Sequence, residues 1–278
     1  MELGIVPCRI GGIGNQIFIV VAGYISAKVN KVPLYVFNMK WKKHQHSVDD
    51  YTKSLFSKFG QVLGDDQDTM PSAFSSYIKH SQCGFSSWNP HTIKPGTLLT
   101  SYYQYYPTIA PYEDEIRELL LDGLSAHRSN LKESYPDNYA FLHIRRGDYL
   151  ACSHIHYIQP LEYFQKAVSH LSTSATILVF SDDIQWVLTQ DYFKDCRFKV
   201  VSGLNEVETL SLMTLCTEGA ICSNSTFSWW GAFLGTYAAR NPVIVPERWI
   251  NTAYFNTEEW INGKVPNMFP KEWVVLST

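Results

Sequence analysis

The sequence predicts an α/β fold in two parts, and three observations carry that prediction. Short apolar runs recur along the chain, some unbroken over four residues such as Ile177-Leu178-Val179-Phe180, as in strands buried on both faces of a parallel sheet. Between them lie segments whose apolar residues repeat at helical spacing. The alternation of the two kinds in the second half is that of a doubly wound parallel sheet. A polar stretch with Pro136, residues 126–138, separates the halves and gives domains 1–135 and 136–278.

Composition narrows the function. A chain of 278 residues with 45% apolar residues has ample material for packed cores, and a net charge of −3 with 18% charged residues offers no basic field for nucleic acid. The 17 Tyr and 8 Trp suit sugar- or base-stacking surfaces and serve equally as core. The chain enters a strand at once, without a basic start and apolar run, so no signal peptide is expected. No apolar stretch reaches the roughly 18 residues that span a bilayer. The six cysteines are scattered without a Cys-x-x-Cys pair and read as free thiols of a reducing, cytoplasmic compartment, with no zinc site.

Residues 3–10 form the first apolar strand. Gly11-Gly12-Ile13-Gly14-Asn15-Gln16 leads into a helix over 16–29 with Phe18, Val21, Ala22, Ile25 and Val29 at helical spacing. Pro33 stops it, and Leu34-Tyr35-Val36-Phe37 is the next strand. A glycine-rich turn at a helix N-terminus lets backbone N–H groups approach an anion. Neither the full dinucleotide fingerprint nor the phosphate loop ending Gly-Lys-Ser/Thr is present. Tight-turn chemistry therefore explains the loop as well as a ligand does, while Asn15 adds an amide where a ligand could be held.

Residues 38–98 are polar and predict short helices and loops. Asp66-Gln67-Asp68 has the acid-x-acid form of a metal motif but does not end an apolar strand, and His44 and His46 share its polar setting. Both are read as solvated loop, and no metal site is expected. Leu98–Tyr103 predicts a strand and residues 112–124 a helix with Ile116, Leu119, Leu120 and Leu124.

In the second half, strand 139–145 comes first. Pro160 opens a helix with Leu161, Phe164, Val168 and Leu171 on one face. Strands follow at 177–180, 198–201, 220–223 and 243–246. Asn205 caps one intervening helix, and another runs from the Ser225 region to about residue 239.

Four strand ends carry polar clusters. The stretch Phe141-Leu142-His143-Ile144-Arg145-Arg146-Gly147-Asp148-Tyr149 runs from a buried strand into a charged turn. A guanidinium is always charged and its planar fork suits phosphate. With a period of two, His143 and Arg145 share one face, Ile144 and Arg146 the other. One arginine then faces a ligand at the carboxyl end of the strand, and the other braces the turn or reaches the ligand from the side; the first reading is a diphosphate clamp, and its alternative is a structural Arg–Asp pair closing the turn. Ser223-Asn224-Ser225-Thr226 places hydroxyls where a strand meets a helix N-terminus. Taken alone it reads first as helix capping, as do Asp182 and Asp183 before Ile184. Trp229 and Trp230 read as core. No Gly-x-Ser-x-Gly elbow points to nucleophilic catalysis. A diphosphate clamp without a metal motif fits transfer of a sugar from a nucleotide sugar, with arginine and helix-end dipoles stabilising the leaving group.

These residues resemble the α-1,2-fucosyltransferases, and more distantly the α-1,6- and protein O-fucosyltransferases. The resemblance rests on the blocks Gly12–Phe18, Ser101–Gln104, His143–Tyr149, Val179–Asp183 and Ser223–Ala232, in family order over nearly the whole chain. It implies a GT-B-like fold, two Rossmann-like domains facing across a cleft. It implies GDP-β-L-fucose as donor substrate, no cofactor, no metal, and inverting transfer to a glycan hydroxyl, often galactose O2. By position, Arg145 holds the β-phosphate, Arg146 assists or braces, and His143 lies near the nucleotide. Ser223, Ser225, Thr226 and Phe227 then line the phosphate and guanosine site. Gly14 and Asn15 contribute from the first domain, Asn15 reaching the diphosphate or fucose. Guanine calls for a carboxylate, Glu218 or Asp182. Asp148 is the nearest carboxylate for the acceptor's proton, or else it pairs with Arg146. Without the membrane anchor of the eukaryotic secretory members, the resemblance is to a bacterial or viral type. The alternatives are transfer of another deoxysugar and a nucleotide-sugar-binding protein without catalysis.

Overall fold

The apolar runs of the sequence become strands of parallel sheets in a computed structural model, which describes residues 2–39, 51–67, 74–82, 84–251 and 263–277. The chain divides into two compact units, Met1–Ser125 and Ala126–Thr278.

In the first unit, β1 (Ile5–Pro7) leads through the glycine turn into α1 (Ile13–Asn30), and β2 (Tyr35–Met39) follows. Then come β3 (Gln61–Gln67), β4 (Ile78–His80), β5 (Thr97–Leu99), the single turn α2 (Tyr106–Ile109) and α3 (Glu113–Gly123). β1 pairs with β5 and β5 with β4, all parallel, and β2 pairs with β3 in a second parallel ladder. β3 and β4 fall in the stretch expected to be helices and loops. Their polar sequences hide the alternation that marks a strand, and backbone pairing with apolar neighbours makes them strands all the same. Asp68, His44 and His46 lie outside the described residues.

The second unit begins with α4 (Ser125–Ser134), so most of the polar stretch read as a boundary is helical. Its elements are β6 (Ala140–Ile144), α5 (Gly147–Ala151), α6 (Leu161–Val168), β7 (Ile177–Ser181), α7 (Ile184–Thr189) and β8 (Phe198–Val200). They continue with α8 (Glu206–Met213), β9 (Ala220–Ile221), α9 (Thr226–Leu234), β10 (Val243–Pro246) and β11 (Val274–Leu276). Asn205 caps α8 in a complete capping box with Glu208. The strands form one parallel sheet in the order β11-β10-β9-β6-β7-β8. β11 was not foreseen: three residues near the end of the chain are too short to show a period. α9 ends at Leu234 rather than near residue 239, where Gly235 turns extended.

Ala140, Leu142 and Ile144 face a core with Phe164, Val179, Ile221 and Ile244, so His143 and the residue after Ile144 point the other way, as the period of two requires. Among the described residues, no helix is long and apolar enough to cross a membrane. Trp229 and Trp230 are fully buried; Trp229 stacks on Phe233 at 4.9 Å and its Nε1 donates to Met268 O at 2.9 Å. Trp229→Ala is therefore expected to cost about 3–5 kcal/mol of stability, checked by urea unfolding; a loss below about 1 kcal/mol would mean that the ring is not core.

Candidate active site

The sheet of the second unit changes winding direction at β6. From β6 the chain moves to β7 and β8 on one side, and later to β9, β10 and β11 on the other. In open α/β sheets the crevice outside the carboxyl ends at such a switch is where ligands bind. Arg145 follows β6 and Ser223 follows β9, so two of the clusters singled out in the sequence flank the crevice, and Asp182 follows β7 beside them.

Register explains the central ion pair. His143 pairs with Phe180 and Ile144 with Ser181, so Arg145 and Asp182 leave the sheet side by side. Arg145 Nε lies 3.2 Å from Asp182 Oδ2, and its Nη2 lies 2.8 Å from Asp148 Oδ1, one turn further along α5. The guanidinium also sits 5.5 Å from the Tyr149 ring centre. Two carboxylates thus hold one edge of the fork. Nη1, on the opposite edge, has no partner among the described residues and is the group free to grip an anion.

Arg146 has the other role. Its Nε lies 3.3 Å from Asp183 Oδ2 and its guanidinium stacks on Trp186 at 4.2 Å. Its backbone N–H donates to Asp182 Oδ1 at 2.9 Å, so it braces the turn rather than facing a ligand. Asp183 also caps α7, accepting from Trp186 N at 3.1 Å. Gly147 is explained by the same cluster: a Cβ there would stand 2.6 Å from Asp182 Oδ2.

Three expectations are corrected here. Asp148 pairs with Arg145, not Arg146. Asp182 is engaged by Arg145 and the Arg146 N–H, which leaves it a brace instead of a reader of guanine. Glu218 precedes β9, with its N–H donating to Tyr139 O just before β6. It therefore sits at the amino ends of the parallel strands, away from the crevice.

Behind Arg145, His143 is 4% exposed and its Nδ1 lies 3.0 Å from Ser223 Oγ. Burial, with Arg145 beside it, pushes the imidazole down to about 3, so it is neutral. Ser223 is fully buried and spends its hydroxyl on this imidazole, so it supports the site from beneath instead of lining it. Ser225 is the N-cap of α9, accepting from Phe227 N at 3.3 Å. Capping, the plainer reading of this run, is what Ser225 does. Thr226 and Phe227 form the half-buried first turn of α9, and the Phe227 ring lies 5.6 Å from His143. Arg145 Nη1 is the donor of this cluster that could take an anion.

Sequence reading missed Asn224. Its side-chain amide nitrogen donates to Tyr157 O at 2.8 Å and Trp249 O at 2.7 Å, and its backbone carbonyl accepts from Tyr149 OH at 3.0 Å. It ties the arginine turn to two distant loops. In the first unit, Gly14 is buried in the first turn of α1, and Asn15 Oδ1 accepts from Gln104 Nε2 at 2.9 Å.

These features define an α/β site at a switch point of a parallel sheet, and the comparisons give the family. The model described as Glycosyl transferase family 11 matches residues 82–276, and the chain belongs to that family. It is similar to the O-antigen biosynthesis glycosyltransferase WbnK of Escherichia coli, 31% identical over 61% of this chain. That match spans 62% of the length of WbnK. It is also similar to an alpha-1,2-colitosyltransferase of Escherichia coli, 23% identical over 93% of this chain and 99% of the relative. Among solved structures, fucosyltransferase NodZ from Bradyrhizobium matches with a TM-score of 0.51 at 12% identity, over 84% of this chain and 94% of NodZ. Arabidopsis thaliana FUT1, in complex with GDP, matches with 0.51 at 10% identity, over 97% of this chain and 75% of that one. These likenesses show the fold, α/β and GT-B-like, as the sequence led us to expect.

The neutral His143 has a consequence for acid stability. Unfolded, a histidine takes up a proton below about pH 6.5, whereas folded His143 does so only near 3. Stability therefore falls as pH drops from 6.5 toward 3, by about 1.4 kcal/mol per pH unit for this group. In His143→Gln, which keeps a polar partner for Ser223, the melting temperature should fall less between pH 6.5 and 4.5 than in the wild type. Parallel declines would mean that His143 carries none of the acid sensitivity.

Proposed function

We propose that the protein transfers L-fucose from GDP-β-L-fucose to a sugar hydroxyl of a glycan, galactose O2 in α-1,2 linkage, with inversion and without a metal ion. The observation that carries this reading is Arg145, held by two carboxylates at a strand-end crevice with Nη1 unpaired. The family and the blocks shared with fucosyltransferases supply the donor.

In this reading the acceptor oxygen attacks C1 of the sugar as the bond from C1 to the β-phosphate oxygen breaks. Charge grows on the departing diphosphate, where Arg145 Nη1 and the first turn of α9 act on it. Arg146 holds the loop through Asp183 and Trp186. Asp148 spends Oδ1 on Arg145, and Oδ2 is the oxygen we assign to the acceptor's proton. A second donor is favoured by one observation: the colitosyltransferase relative is matched along nearly its whole length. Colitose is fucose without its 3-hydroxyl, so the two donors share every group that Arg145 and α9 would touch.

The test is transfer from GDP-fucose to galactose-terminated acceptors in EDTA. The expected result is an α-1,2-linked product at an undiminished rate. Arg145→Ala and Arg145→Lys should each lose on the order of 100-fold or more in kcat/KM, since a point charge does not replace the fork. Near-normal Arg145→Lys, or a strict Mg²⁺ or Mn²⁺ requirement, would sink the mechanism. Turnover of GDP-colitose alone would replace the donor.

A further inference from the structure

Another arginine, with no role so far, stands at the carboxyl end of the sheet in the second unit. β10 ends at Pro246, and Arg248 lies two residues beyond it. β10 runs parallel to β9 and β9 to β6, so Arg248 leaves the sheet at the same end as Arg145. Two strand-to-strand steps of about 4.8 Å set the two exits about 10 Å apart. Two arginine side chains can close that gap on one diphosphate or span it along a longer ligand.

The charges around the two arginines differ. Arg145 with Asp148 and Asp182 sums to −1. Arg248 pairs with no carboxylate among the described residues. Glu247, beside it in the chain, is taken by Lys264, whose Nζ lies 2.5 Å from Glu247 Oε1. An antiparallel bridge joins Lys264 to Arg248, so of these three charges two cancel and that of Arg248 is left over. Arg248 Nε is buried without a hydrogen-bond partner, while the Nη edge is open to solvent. A part-buried guanidinium without a counter-charge is costly.

The side chain is nevertheless built in. Its guanidinium sits 4.0 Å from the Tyr157 ring centre. Buried amides fix the backbone beneath that contact. Asn224, 1% exposed, joins Tyr157 O to Trp249 O, and Gln159, 2% exposed, donates from Nε2 to Arg248 O at 2.6 Å. Trp249 N–H donates to Gly263 O at 2.8 Å. Gly263 has a φ of +76°, and a Cβ there would stand 2.3 Å from Ile250 O and 3.5 Å from Arg248 Cγ. A fork held this firmly loses little freedom when a ligand meets it.

We infer that Arg248 is a second oxyanion-binding site of this unit, taking a phosphate or carboxylate group through its Nη edge. Neither the fucose nor the metal-free mechanism is needed for it. Two sources offer that chemistry: a phosphate of the nucleoside diphosphate, or an acidic sugar in the glycan.

Calorimetric titration of the whole protein separates the two sources. Guanosine and GDP are compared first. With GDP present, lactose is then compared with its acidic counterpart, galactose β-linked to glucuronic acid in place of glucose. Wild type, Arg248→Gln and Arg248→Lys are titrated, with melting temperatures recorded beside them. If the ligand group is a phosphate, Arg248→Gln weakens GDP about 10-fold or more and leaves guanosine unchanged, and Arg248→Lys recovers part of the loss because it restores the charge without the fork. If it is a carboxylate, the wild type binds the acidic disaccharide about 10-fold tighter than lactose, and Arg248→Gln abolishes that difference. Either result supports the site. Loss of guanosine affinity equal to the loss for GDP would overturn it. So would unchanged GDP binding in Arg248→Gln together with a wild type that does not favour the acidic disaccharide. Should Arg248→Gln fail to fold, Arg248→Lys, which keeps stem and charge, decides on the same criteria with a smaller loss. A wild type that prefers UDP would refute the guanosine donor alone, and UDP and uridine then replace GDP and guanosine in the comparison.

Discussion

The ion pair between Arg145 and Asp182 is the constraint on which the second unit depends. Two parallel strands in register end together, and the first residue beyond each carries opposite charge. Asp148 closes the same guanidinium from the start of α5, and Gly147 is bare because Asp182 occupies the space a side chain would need. Three carboxylates, Asp148, Asp182 and Asp183, stand against two arginines, so the cluster is formally −1. It is not a generic basic patch. In the proposed reaction an anion is drawn by the one edge of Arg145 that the carboxylates leave open. Removing either carboxylate would leave a part-buried charge with half its support.

In the second unit a polar group is held by others packed around it. Arg145 is aimed by two aspartates. Neutral His143 lies beside it on a buried serine, and Asn224 ties the arginine turn to the loops around Tyr157 and Trp249. In the first unit Gln104 Nε2 donates to Asn15 Oδ1, next to Tyr103 in a left-handed conformation. These bonds join residues far apart in sequence that a motif cannot link, 36 positions between Arg146 and Asp182 and 89 between Asn15 and Gln104.

That separation marks what the sequence could show. The alternation of apolar runs and helical spacing gave the parallel sheet of the second unit, and the period of two gave the facing of His143 and Ile144. The Asn205 cap was legible because capping is local. Pairings across the sheet were not, so Asp182 was left between capping and guanine recognition when it braces Arg145. Glu218 was placed in the site although it precedes its strand; the direction of a parallel strand already puts such a residue at the wrong end. Ser223 carried the signal of a phosphate hydroxyl but is buried under His143, and burial at a strand end follows from the packing of α9 against the sheet. β3, β4 and β11 escaped because short or polar strands are set by their partners rather than by their own pattern.

The most direct test is calorimetric titration of the protein with GDP, UDP and ADP in EDTA, repeated for Arg145→Lys. The account predicts that GDP binds well ahead of the other two without metal, and that the lysine variant loses most of that affinity because a fork has become a point charge. Equal affinity for the three nucleotides would contradict the guanosine donor. Unchanged GDP binding in Arg145→Lys would contradict the arginine clamp itself.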